Sequence, residues 1–189
     1  MPSLDSSFQN AARIDSGRGK LSDNPQSYDS KLVEWPRGTS MSDIQVRKAQ
    51  ADDLPMMQRI ARRTIDKCYR SFLGDEGVDW FINSGESDRE LEKHIENCDV
   101  LLSDDAIVAF TIYFDELVHL MMVDVALQRG GLGSQLLAHS EKQLFACGNT
   151  TIRLETFEGN EQALNFYVKN GWSVTKKERW PYPGFHTSL

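Results

Sequence analysis

The sequence predicts an α/β protein in which one mixed sheet carries helices on its faces. Three observations point there. Segments with strand and helix periodicity follow one another in the order β-α-α-β-β-β-α-β-α-β, with a short seventh strand after a turn. Three strands run consecutively in the middle, which suits antiparallel pairing, whereas the end alternates strand and helix, which suits crossover connections. Finally, an apolar strand, Leu117 to Leu127, leads into Gln128-Arg129-Gly130-Gly131-Leu132-Gly133 and then into a long amphipathic segment, Leu132 to Gly148.

Each element has a local reason. Residues 1–40 are rich in Ser, Asp, Asn and Gly without sustained periodicity, so they read as a disordered leader or a remnant of expression. The folded domain is expected over 41–189, beginning near Met41. Ile44 to Arg47 alternates as a strand does. Asp52 or Asp53 can cap a helix with Pro55 in its first turn, and Met57, Ile60, Ala61, Thr64 and Cys68 carry it toward Phe72. Gly74 to Gly77 breaks that helix before a short apolar piece, Val78 to Ile82. Ser87 with Glu90 has capping-box spacing for the next helix. Strands are expected at Asp99 to Ser103 and Ala106 to Phe114, joined by Ser103-Asp104-Asp105. Beyond Gly148, Thr151 to Phe157 is β-branched and aromatic, and Asn160 caps a helix through Tyr167 and Val168 to Asn170-Gly171. Trp172 to Thr175 starts a strand, and Pro181 to Gly184 turns toward a very short final one.

Composition narrows the class. With 189 residues, 40% hydrophobic and 26% charged, the chain has enough apolar content for one well-packed domain. The net charge of −7 disfavours nucleic acid or an anionic membrane as partner and suits a cationic or amine-bearing substrate. Cys68, Cys98 and Cys147 are dispersed, with no CxxC pair and only four histidines, so neither a disulfide framework nor a metal site is expected. Three buried thiols would suit a reducing compartment. With no apolar run of membrane-spanning length and no signal-peptide core, the expected location is cytoplasmic.

The Gly-rich turn is the feature with chemistry in it. A helix N-terminus offers unpaired N–H groups and the positive end of a dipole, and glycine permits close approach, so phosphate or pyrophosphate is the natural guest. A dinucleotide fingerprint would need a third glycine where Gln135-Leu136 stands, and GxxxxGK[ST] is not present.

Gln128 to Gly133 matches Q/R-x-x-G-x-G/A, and Asn160-Glu161-Gln162-Ala163-Leu164-Asn165-Phe166-Tyr167 with Asn170-Gly171-Trp172 matches N-x-x-A-x-x-F/L-Y…N-G-F/W. In both blocks, and in the order of elements from Ile44 to Trp172, the chain resembles the GNAT superfamily of acetyl-CoA-dependent N-acetyltransferases. The resemblance implies an acyl-CoA N-acyltransferase fold, a mostly antiparallel sheet flanked by helices. It implies acetyl-CoA as co-substrate, no metal, and direct attack by a primary amine of a small molecule or a protein. Homodimer formation is left open. It assigns the pantetheine arm to backbone groups of Val123 and Val125, with thioester polarisation near Val123. The pyrophosphate goes to Gln128, Arg129, Gly130, Gly131, Leu132, Gly133 and Ser134. Asn160 contacts the arm, and Tyr167 protonates the departing thiolate.

The chain departs from the family in four places. Leu117 stands where several relatives carry a glutamate base, so His119 becomes the base candidate, sharing a face with Leu117, Met121 and Val123 if no bulge intervenes. Glu116 and Glu155 are weaker alternatives. Arg129 stands where glycine is frequent, and Val125 where proline is. The last strand is expected to be shortened, which would leave a raw sheet edge or an open acceptor pocket. Acceptor recognition is expected from Tyr69, Phe72 and Trp80, with Asp75 and Glu76 nearby. The alternative from another class is a non-catalytic GNAT-like module that binds acetyl-CoA as a sensor or for assembly.

Overall fold

The computed structural model describes residues 9–16 and 44–180. They form a seven-stranded sheet with helices on both faces. The strands are β1 (Gln9–Ser16), β2 (Ile44–Lys48), β3 (Cys98–Ser103), β4 (Ala106–Phe114), β5 (Leu117–Val123), β6 (Arg153–Phe157) and β7 (Trp172–Trp180). The helices are α1 (Leu54–Cys68), α2 (Arg70–Ser84), α3 (Glu86–Lys93), α4 (Leu132–Ala146) and α5 (Glu161–Lys169). Sheet order is β2-β3-β4-β5-β6-β1-β7, and every pairing is antiparallel except β5 with β6. The expected α/β class and mostly antiparallel sheet are therefore present.

The first strand is the main surprise, and it corrects the reading of residues 1–40 as a leader without structure. Gln9–Ser16 inserts between β6 and β7, pairing Ala11↔Phe157 through Asp15↔Arg153 on one side and Gln9↔Trp180 through Ser16↔Trp172 on the other. Only two side chains, Ala12 and Ile14, are apolar at alternate positions, and both are fully buried. Two apolar residues suffice because both backbone edges are satisfied by neighbours. A bulge at Thr175, between the pairs Arg13↔Lys176 and Ile14↔Val174, adjusts the register. The rest of the expected leader, and the short strand expected after Gly184, lie outside the described residues. β7 spans nine residues and pairs with β1 on one side, and its other side is the edge of the described sheet.

Other boundaries shift for local reasons. Helix α1 ends at Cys68, and α2 carries the expected break at Gly74, whose φ of 73° and ψ of 168° are not helical. Helix α3 starts on left-handed Gly85, with no side-chain cap from Ser87. Asp53 turns its carboxylate back to Gln50 N (2.8 Å) and Arg47 (2.6 and 2.9 Å), tying the start of α1 to β2. Bonding to the Arg47 guanidinium holds Asp53 below the usual carboxylate range. The β3–β4 turn puts Asp104 and Asp105 at φ of 51° and 61°, the two left-handed residues that suit the twist of a tight hairpin.

One face of the sheet packs Val100, Phe110, Ile112 and Met122 against Met57, Ile60 and Ile65 of α1, Val78 of α2 and Leu91 of α3. The other packs Ile14, Val118, Ile152 and Leu154 against Leu137 and Leu144 of α4 and Tyr167 of α5. Trp172, the aromatic after Asn170-Gly171, is 2% exposed and donates its indole N–H to the buried Glu141 carboxylate of α4 at 2.7 Å. Among the described residues, no helix is long and apolar enough to cross a membrane.

Replacing Ile14 by alanine tests the inserted strand. The expected loss is about 2–5 kcal/mol in urea unfolding of the full chain, the range for a buried isoleucine. A loss near zero would mean that the N-terminal segment lies outside the cooperative unit.

Candidate active site

Strands β5 and β6 are paired only at their beginnings, Leu117↔Arg153 and Val118↔Leu154. The closed end is locked by Arg153 N donating to Glu116 O (2.8 Å) and by the Arg153–Glu116 ion pair at 3.1 Å. Beyond Val118 the two strands part, although β5 stays paired with β4 to its end. Asp124 N donates to Val108 O at 2.9 Å, so Asp124 faces β4 and the preceding Val123 turns its backbone groups the other way, into the gap. The Val123 carbonyl accepts from Thr64 Oγ1 (3.3 Å) and Gln128 Nε2 (3.2 Å). Its N–H faces the gap, where β6 offers no ladder partner.

A bulge decides where His119 goes. The β4 partners pass from Ile112↔Leu120 to Tyr113↔Val118, leaving His119 as the extra residue. Val118, Met121 and Val123 pack on the α4 side, and Leu120 and Met122 on the side of α1 to α3. His119 is therefore not on the face of Met121 and Val123, as unbroken alternation predicts. It turns toward α3, where its Nε2 lies 2.7 Å from Glu90 Oε1, beside His94 and Phe114 at ring distances of 5.0 and 5.3 Å. His94 Nε2 lies 3.2 Å from the same Glu90 oxygen, and burial holds its imidazole below the usual pKa.

At its other end β5 stops at Val123, short of the expected Leu127, because Asp124 caps a tight turn by accepting from Ala126 N at 2.9 Å. Val125 thus opens a 3-10 turn instead of extending the strand. The chain then passes through Arg129 at φ 66° and Gly131 at φ 85° into α4. Arg129, exposed, occupies a left-handed conformation costing roughly 1 kcal/mol for a residue with a Cβ. No side chain caps α4, which leaves its first-turn N–H groups without a side-chain acceptor. A Cβ on Gly133 would stand 3.3 Å from the Phe166 ring and 3.7 Å from Val123, so glycine brings α4, α5 and β5 together here. Gln128 bridges the same corner, bonding Val123 O and accepting from Gln162 Nε2 at 2.9 Å, with Cys68 Sγ about 4 Å away.

Beside this corner is a cavity of about 320 Å³ lined by Cys68, Ser71, Phe72, Gly159, Asn160, Glu161 and Gln162. Asn160 is 8% exposed, caps α5 as expected by accepting from Ala163 N at 3.2 Å, and lines the cavity. Tyr69, Phe72 and Phe157 form an aromatic cluster with ring distances of 5.1, 5.5 and 6.0 Å that joins the α1–α2 corner to β6. Tyr167 projects from α5 among Phe166 and Trp172 at 5.1 and 6.0 Å. Burial pushes the Tyr69 phenol up to about 12. Burial pushes Tyr167 further still, with the nearby Tyr69 adding to it.

The remaining candidates fall outside this constellation. Trp80 is 41% exposed and does not line the cavity. Asp75 is bound to Arg70 at 3.1 Å, Glu116 to Arg153, and Glu155 is exposed on β6. Of the three thiols only Cys98 is buried; Cys68 is half-buried at the cavity and Cys147 exposed, which corrects the expectation of three buried thiols. Sequence reasoning missed Phe157, Gln162 and the Glu90–His94 pair. Only the last left a sequence signal, its four-residue spacing on one helix face.

The sequence profile of the acetyltransferase (GNAT) family matches residues 62–172, from within α1 to the start of β7, more than half of the chain. The protein belongs to that family and is an acyltransferase. Among solved structures it is similar to the PaiA N-acetyltransferase of Thermoplasma acidophilum, determined in complex with coenzyme A. The identity is 20% over 73% of this chain and 99% of that one, with a TM-score of 0.63. A GCN5-related N-acetyltransferase from Rhodopseudomonas palustris aligns at 14% identity over 74% of this chain and 87% of its own, with a TM-score of 0.64. Ard1 from Thermoplasma volcanium aligns at 21% over 70% and 84%, with a TM-score of 0.54. At such identities these structures establish the shared fold. No curated protein matches the sequence.

Gly159 offers a test of the cavity wall. A Cβ there would lie 2.7 Å from Phe72 Cβ, an atom fixed to the α2 backbone that cannot rotate away. Gly159→Ala should therefore destabilise the chain by about 1–3 kcal/mol in urea unfolding. Unchanged stability would contradict the close packing of α2 on the β6–α5 connection.

Proposed function

We propose that this acyltransferase moves the acetyl group of acetyl-CoA to a primary amine by direct attack. The observation that carries the reading is the gap between β5 and β6, which opens toward the uncapped N-terminus of α4 with the Val123 N–H facing into it. An extended pantetheine arm can occupy that gap as a missing strand would, while its pyrophosphate meets the N–H groups of Gly130 to Ser134. The Arg129 side chain and the Gln128 corner flank the phosphates. Asn160, at the cavity, contacts the arm.

In this reading the amine lone pair attacks the thioester carbonyl carbon, and the Val123 N–H stabilises the oxyanion that forms. Collapse breaks the C–S bond, and Tyr167, a phenol protonated at neutral pH, gives its proton to the thiolate. The proton shed by the attacking amine passes to His119, directly or through water, with Glu90 orienting the imidazole. The acceptor would approach from the α1–α2 side, past Tyr69 and Phe72, with Trp80 farther out. Holding amine and thioester in line supplies much of the acceleration.

Thiol release from acetyl-CoA against a broad panel of amines tests this directly. Tyr167→Phe should lower kcat by about 100-fold or more, the usual contribution of a general acid, while CoA affinity stays within about twofold. An unchanged kcat would remove Tyr167 from the chemistry. CoA binding without thiol release from any amine would overturn amine transfer in favour of a non-catalytic CoA-binding module.

A further inference from the structure

The Glu90–His94–His119 cluster carries more than a base and its orienting partner. We propose that these three side chains form a site for one divalent transition-metal ion of the zinc class. One ligand atom from each residue lies within 4.8 Å of the other two. The Glu90 oxygen sits 2.7 Å from His119 Nε2 and 3.2 Å from His94 Nε2. A tetrahedral zinc ion with bonds of about 2.0–2.2 Å holds its ligand atoms roughly 3.3 Å apart, so only small side-chain rotations are needed.

The carriers are rigid. Glu90 stands in α3 and His94 is the residue at its C-terminal cap, one turn on, its N–H donating to Glu90 O at 3.3 Å, and His119 is fixed by the bulge in a central strand. The His94 ring is stacked on Phe114, with centroids 5.0 Å apart and planes at 11°, which sets its orientation before any ion arrives. Side-chain exposures of 15% for His94, 29% for His119 and 38% for Glu90 leave a path for the ion and an open fourth position for water. Two imidazoles and one carboxylate without a thiolate form a donor set that suits zinc and its neighbours over magnesium or calcium. Binding exchanges the two contacts on Glu90 for three metal bonds, and each imidazole takes its Nδ1–H tautomer.

The ion would occupy the nitrogen of His119 that now faces Glu90. Zinc should then inhibit acetyl transfer, a consequence that rests on the acetyl-transfer reading, whereas ion binding itself does not. The test uses the full chain freed of metal with a chelator, titrated with Zn²⁺ against a chromophoric competitor and with Co²⁺ by absorption. The expected result is one ion per chain, with a cobalt ligand-field band and no thiolate charge-transfer band. His94→Gln and Glu90→Gln should each weaken binding at least about tenfold, since even outer-shell partners of a metal are worth 10–100-fold. Cys147→Ser should leave it unchanged. Zinc should also raise the unfolding midpoint of the parent but not of His94→Gln, whose metal-free midpoint reports that the variant is folded. No binding at micromolar zinc, binding that survives both substitutions, or binding lost in Cys147→Ser would each overturn the site.

Discussion

Strand β6 is held by β1, and that attachment lets it leave β5. Five residues of β6 pair with β1, from Phe157↔Ala11 to Arg153↔Asp15, while only two pair with β5. Without β1, the described residues would give β6 two ladder pairs and β7 none. With it, the outer half of the sheet is anchored on its far side, and the near side can stay open. An open strand edge inside a fold leaves backbone groups unsatisfied, a cost retained where something else comes to pair with them. Here the edge that stays open leads to a helix N-terminus with no side-chain cap.

Two local distortions shape the surroundings of that gap. The bulge at His119 turns an imidazole toward α3, on the opposite face of the sheet from Tyr167. The left-handed residues Arg129 and Gly131 bring the chain from the end of β5 to the start of α4 within a few residues. Gln128 and Asp124 hold this corner together through side-chain bonds to the backbone of Val123 and Ala126. The site thus draws on strand, turn and two helices, with the sheet providing rigidity and the distortions providing direction.

Much of this was legible in the sequence, because helix and strand periodicity, Asn160 as a cap, Gly74 as a break and the Gly-rich turn are local signals. The two motif blocks identified the family from side chains that must occur at fixed spacing. What stayed hidden depends on partners remote in sequence. Gln9–Ser16 shows Ala12 and Ile14 as its buried apolar residues among the described side chains, and its identity as an inner strand comes from neighbours more than a hundred residues away. The bulge at His119 leaves the alternation of Leu117 to Val123 looking regular, so the histidine's face could not be read. Phe157 and Tyr69 meet only through the fold, and the exposure of Cys147 follows from its place just past the end of α4.

The central claim is that CoA lies in the gap between β5 and β6 and reaches the start of α4. Backbone hydrogen exchange of the full chain, with and without saturating CoA, addresses it most directly. The account predicts slower exchange at Val123, across Gly130 to Ser134 and near Asn160, with β3 and β4 unchanged. Saturable CoA binding that leaves those amides unprotected, or protects a different surface, would contradict it.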